Sequence, residues 1–127
     1  MPHLPPLIEA MRREMKDRGI GIAANQLGVL KRLFLMNTDG KEHVVINPLV
    51  TSYGAETIIT IEGCLSFPGK KVRVRRVKEI EATWLDEKAH EHRAAMSGIE
   101  AACFLHELDH LNGKTMIDRQ FSGRAPG

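Results

Sequence analysis

The stretch SGIEAACFLHELDHLNG, residues 97–113, constrains this chain more than any other. Ser97 followed three residues later by Glu100 fits a capping box, with the serine hydroxyl accepting from a backbone N–H and the glutamate reaching back to the serine N–H. The spacing predicts a helix that starts there and stops at Gly113, a residue suited to a left-handed cap. Ile99, Ala102, Cys103, His106 and His110 share one face, while Ala101, Phe104, Leu105, Leu108 and Leu111 cover most of the others. A helix apolar nearly all round must be buried, so the rest of the chain has to wrap it.

The other segments supply the wrapping. PPLIEAMRREMKDR, residues 5–18, puts Leu7, Ile8, Met11 and Met15 on one stripe and predicts an amphipathic helix entered through prolines. GIGIAANQLG, residues 19–28, has the three glycines of a sharply turning loop. KRLFLM and EHVVINPLV flank Asp39-Gly40 and predict a hairpin. ETIITI and KKVRVRRV read as strands joined by the loop EGCLSFPG, and EIEATWLD and HEHRAAM add two more. The expected fold is α+β, with antiparallel β-sheets packed around that central helix, in one domain over residues 1–127.

Bulk properties narrow the function. The charge of +2, from 18 basic and 16 acidic residues, is too balanced to imply nucleic-acid binding. No apolar run approaches the roughly 20 residues of a membrane span. The N-terminus lacks a signal-peptide layout, so a cytoplasmic location is expected. Cys64 and Cys103 then read as free thiols or a metal ligand rather than a disulfide.

His106, Glu107 and His110 form His-Glu-x-x-His, which on a helix offers two imidazoles to one metal ion with a carboxylate beside them. In helical proteases with this pattern the third ligand lies downstream. Here the histidine position of that arrangement is Met116, and residues 111–127 contain no histidine, cysteine or glutamate. A metallopeptidase reading therefore fails. Cys103 shares the helix face but lies about 10.5 Å along the axis from His110, and is assigned to the pocket wall. Cys64, which follows Gly63 on a separate element, is the better third ligand, leaving the fourth tetrahedral position for water.

GIGIAANQLG, EGCLSFPG and LHELDHLNG, in this order, resemble the three motifs of the peptide deformylase family, and the resemblance runs from about Leu7 to Phe121. It implies a hydrolase that removes the N-formyl group from N-terminal formyl-methionine of nascent polypeptides. Family members usually begin with a further segment that includes an edge strand, and many end in a long C-terminal helix, so both termini read as shortened. Leu105 stands where a glutamine is usual, and Ile22 where a leucine is.

The resemblance also implies the site. Cys64, His106 and His110 hold one divalent metal, Fe²⁺ in the first instance, with Zn²⁺, Ni²⁺ or Co²⁺ as substitutes. Glu107 carries the proton. The Leu65 backbone N–H and the Gln26 side-chain amide receive the oxyanion. Ile20, Ile99 and Cys103 line an apolar slot for the substrate methionine, and Gly21 lets substrate backbone run alongside. Glu62 and Asp109 are expected to orient ligands, with Arg76 as a charge partner for one of them. The expected partner is an N-formylmethionyl peptide, bound by a monomer.

KKVRVRRVK, residues 70–78, has six basic residues in nine. It reads as one solvated strand face or as a transient ribosome contact through RNA phosphates. The alternative function is a catalytically inactive binding module for formylated N-termini. Intact Glu107 and Gln26 argue against it.

Overall fold

The computed structural model describes residues 4–16, 21–23, 32–38, 40–64, 67–116 and 118–119. Helix α1 (Leu4–Lys16) precedes seven strands: β1 (Gly21–Ala23), β2 (Leu33–Thr38), β3 (Lys41–Tyr53), β4 (Thr57–Cys64), β5 (Phe67–Val77), β6 (Glu79–Leu85) and β7 (Glu91–Ser97). Helix α2 (Gly98–Leu111) follows them. Five strands form one antiparallel sheet in the order β1-β2-β3-β6-β7, and β4 and β5 form a separate hairpin. The architecture is the α+β arrangement expected from the sequence.

Strand periodicity explains how both helices find a partner. Along β2, Phe34 and Met36 face one core with Phe104 of α2, while Leu33 and Leu35 face another with Ile8, Met11 and Met15 of α1. A strand buried on both faces needs a continuous apolar run, which is what Leu33-Phe34-Leu35-Met36 provides. Phe104, fully buried, meets the Phe34 ring edge-on at 5.1 Å and lies 5.9 Å from Trp84. Leu105 fills the same core, and Ile22 the α1 core. Among the described residues no helix is long and apolar enough to cross a membrane.

Three local expectations are corrected. Ser97 takes the extended N-cap conformation (φ −142°, ψ 161°) but makes no side-chain cap bond, so the capping box does not form. Glu100 instead accepts a hydrogen bond from Thr38 Oγ1 at 3.2 Å, and that tertiary bond replaces the local one. GIGIAANQLG is not wholly a loop, because Gly21–Ala23 pairs with β2, burying Ile22 on one face and Ala23 on the other. EGCLSFPG is not a free loop either: β4 continues through Glu62 and Gly63 to Cys64, whose Cα pairs with Phe67 after a register shift.

The stop of α2 is as read. Gly113 sits at φ 78°, its N–H bonds to His110 O, and Lys114 N–H bonds to Asp109 O. These are the paired bonds of a Schellman cap. The β2–β3 hairpin also forms, with Thr38 opposite Lys41 and Gly40 at φ 73°; Asp39 lies outside the described residues.

The basic run is divided by the pleat. Lys71, Arg73 and Arg75 face outward, opposite Gly63, Ile61 and Ile59, while Val72, Val74 and Arg76 face inward. It is not one solvated face, since Arg76 is only 5% exposed.

Candidate functional site

The inner face of the β4–β5 hairpin lies against α2, and ionised groups meet there. Glu62 leaves β4 and accepts from Arg76 Nε (2.8 Å) and Nη2 (2.7 Å), Thr60 Oγ1 (2.6 Å) and His106 Nδ1 (2.7 Å). Four donors match the acceptor capacity of one carboxylate. Burial alone would raise the Glu62 pKa, but Arg76, His106 and Thr60 outweigh it and hold it at about 2, against an ordinary 4.5. Arg76 is shifted up: burial disfavours its charge, but the bonds to Glu62 and Asp109 more than offset this. Its third donor, Nη1, reaches Asp109 Oδ2 at 2.6 Å.

This network fixes the His106 tautomer. A carboxylate ionised down to about pH 2 has no proton to donate, so the proton in the Glu62–His106 bond sits on Nδ1. In the neutral ring the Nε2 lone pair is then the one available for coordination. It lies 3.3 Å from Nε2 of His110. Two nitrogens bound at 2.0–2.1 Å with a tetrahedral angle between them would be about 3.3–3.4 Å apart, so the pair fits one shared metal. The four-residue spacing on α2 produces this convergence.

Glu107 stands at the same point. Its side chain is 4% exposed, and Oε2 lies 4.0 Å from His106 Nε2. Gly21 of β1 covers it: a Cβ built on Gly21 would come within 2.5 Å of Glu107 Oε2 and 2.9 Å of its carboxyl carbon. Glycine here makes room for the carboxylate rather than for an unusual φ.

The remaining expected residues divide by position. Cys64 ends β4 two residues beyond Glu62, with its backbone described and its side chain outside the described residues. Ile20, Gln26 and Leu65 lie outside the described residues altogether. Among the described residues no group of three His, Cys, Asp or Glu side chains could hold a metal. Cys103 is buried in the α2 core, and burial pushes its thiol pKa up, with Glu107, Glu62 and Glu100 adding to the shift. That disfavours a thiolate at Cys103. Ile99, at 73% exposure, lies at the open end of the helix face.

Sequence reading missed Thr60 and Arg119. Arg119 donates to both Asp109 oxygens, at 3.1 and 3.3 Å. Neither residue stands in a motif, so nothing in the linear pattern marks it.

Comparison with known proteins addresses the family and the fold. The polypeptide deformylase family profile matches residues 2–124. A peptide deformylase of Zymomonas mobilis is 40% identical over 126 residues, covering 91% of this chain and 71% of that relative. One from Picosynechococcus is 38% identical over 116 residues, and the match spans 87% of this chain but only 62% of that longer protein. The crystal structure of peptide deformylase from Thermotoga maritima superposes with a TM-score of 0.91 at 36% identity, covering 95% of this chain and 83% of the other. The chain belongs to the polypeptide deformylase family.

Proposed function

We propose that this chain is a peptide deformylase: a metal-dependent hydrolase that takes the formyl group from N-formylmethionyl peptides and releases formate. The observation that carries this reading is the carboxylate of Glu107 set 4.0 Å from His106 Nε2, itself 3.3 Å from His110 Nε2. Cys64, His106 and His110 would hold one divalent ion, Fe²⁺ ahead of Zn²⁺, Ni²⁺ or Co²⁺. When bound, such an ion supplies Lewis acidity toward the formyl oxygen and toward water.

The chain's own residues do the rest. Glu107 accepts a proton from the attacking water and returns it to the amine nitrogen as the formyl C–N bond breaks, so water and amide become formate and a free N-terminus. The Gln26 amide and the Leu65 N–H donate to the oxyanion formed on the substrate. Glu62 keeps the His106 ring in one tautomer and one orientation. Ile20, Ile99 and Cys103 take the methionine side chain, and β1 at Gly21 runs beside the substrate backbone.

The test is formate release from a formyl-Met tripeptide by anaerobically prepared, Fe²⁺-loaded protein, before and after a chelator. Turnover that the chelator stops and added metal restores is expected. Tight peptide binding without formate would instead support the inactive binding module.

Gly21→Ala tests the packing of Glu107. The new Cβ overlaps the carboxylate and must displace it. A shift near 1 Å costs about 10²-fold in kcat. Metal content should stay close to wild type, and any fall in melting temperature should be no more than overpacking of one buried side chain causes, about 1–3 kcal/mol, because Gly21 lies at the end of its strand and has no left-handed φ to lose.

A further inference from the structure

The described residues after α2, 112–116 and 118–119, have no role in the reaction proposed above, yet Thr115, Met116, Asp118 and Arg119 are tied together by hydrogen bonds. Thr115 N–H and Asp118 N–H bond reciprocally, to Asp118 Oδ2 at 2.9 Å and Thr115 O at 3.1 Å, and Arg119 N–H donates to Met116 O at 3.2 Å. Met116 is 1% exposed and packs on Val72 and Val74, the two inward residues of β5 that precede Arg76. The turn delivers Arg119, whose Nη2 and Nε donate to Asp109 Oδ1 and Oδ2. Asp109 Oδ2 accepts Arg76 Nη1, Arg76 grips Glu62 through Nε and Nη2, and Glu62 accepts His106 Nδ1. An unbroken series of opposite charges therefore links a half-exposed arginine to a buried imidazole.

We propose that Arg119 is a positioning residue for His106, acting through Asp109, Arg76 and Glu62. Two carboxylates compete for one guanidinium. Glu62 and Asp109 are both buried, and both draw on Arg76. With Arg119 in place two carboxylates face two guanidiniums, and the Arg76 fork stays on Glu62 with a single donor for Asp109. Without it Asp109 has, among the described residues, only Arg76 to balance its charge, so the guanidinium is drawn toward Asp109 and its two bonds to Glu62 weaken. Glu62 is then less firmly held, and the ring it orients loses alignment. A direct partner of a metal-binding histidine is typically worth 10- to 100-fold in metal affinity. Arg119 acts at three removes, so its effect is smaller.

The experiment uses the full chain loaded with Zn²⁺, and it rests on the metal-site reading only for one of its two readouts. The first is the NMR signal of the His106 Nδ1–H proton, assigned by its loss in His106→Gln; the second is the rate at which excess chelator strips zinc. Arg119→Ala is expected to shift the Nδ1–H signal, speed its exchange with solvent, and accelerate zinc loss by about 3- to 10-fold. Arg119→Lys, which restores charge without the fork, should recover part of both. Arg119→Gln replaces the alanine variant if that variant does not fold. A lower melting temperature with wild-type Nδ1–H signal and wild-type zinc loss would overturn the proposal and leave Arg119 as a tether for the turn. A wild-type protein that holds no zinc, yet whose Nδ1–H signal responds to Arg119→Ala, would sink the metal site and uphold the relay.

Discussion

Glu107→Gln is expected to lower formate release by about 10²- to 10⁴-fold, the usual contribution of a positioned general acid–base group. Glutamine preserves the shape of the side chain, so the contact with Gly21 and the packing of α2 survive. It removes the one property the reaction needs, a group that can take a proton and give it back. The loss should fall on kcat, with KM and metal content nearly unchanged, because Glu107 is proposed neither to hold the metal nor to bind the peptide. Formate assays with parallel metal analysis check this. A variant with wild-type kcat would remove Glu107 from the reaction, whereas a variant that lost its metal would make it a ligand.

The site was readable to the extent that its chemistry is local in sequence. His106, Glu107 and His110 lie within one and a half turns of a helix, and the pattern alone states that two imidazoles converge. The fold followed from periodicity for similar reasons: β2 announces its double burial in Leu33-Phe34-Leu35-Met36, and α1 its single face in Ile8, Met11 and Met15. The misreadings arose where a distant partner outbid a neighbour. Glu100 is placed for a capping box but bonds to Thr38, which is 62 residues away. Glycines suggested loops at Gly21 and Gly63, but the sheets extend through both, because glycine permits a turn without requiring one. Arg76 is expected as a charge partner for Glu62 or Asp109 and serves both, but the basic run around it also reads as one solvated face, and the pleat of β5 is what separates Arg76 from its outward neighbours.

That inward arginine carries the second large effect. Arg76→Ala is expected to destabilise the fold by about 3–5 kcal/mol, the usual cost of removing one partner from a buried ion pair. For a chain of this size that is a fall of about 10 to 20 °C in melting temperature. The cost is stranded charge: Glu62 and Asp109 are 9% and 8% exposed, and each would lose its closest cation. Adding Glu62→Gln and Asp109→Asn to Arg76→Ala should therefore recover part of the loss, although it removes further native hydrogen bonds. Acid gives an independent check. In the wild type the Glu62 pKa is held at about 2 against an ordinary 4.5, so its contribution is complete above pH 4.5 and is lost as the pH falls through about 2. Without Arg76 that depression is largely gone and burial favours the protonated form, so the variant has less to lose on acidification. The gap in melting temperature between wild type and Arg76→Ala should narrow below about pH 4, measured on chelator-treated protein so that metal release does not contribute. A gap that stayed constant into acid would mean that Arg76 acts through packing of its stem rather than through its charge.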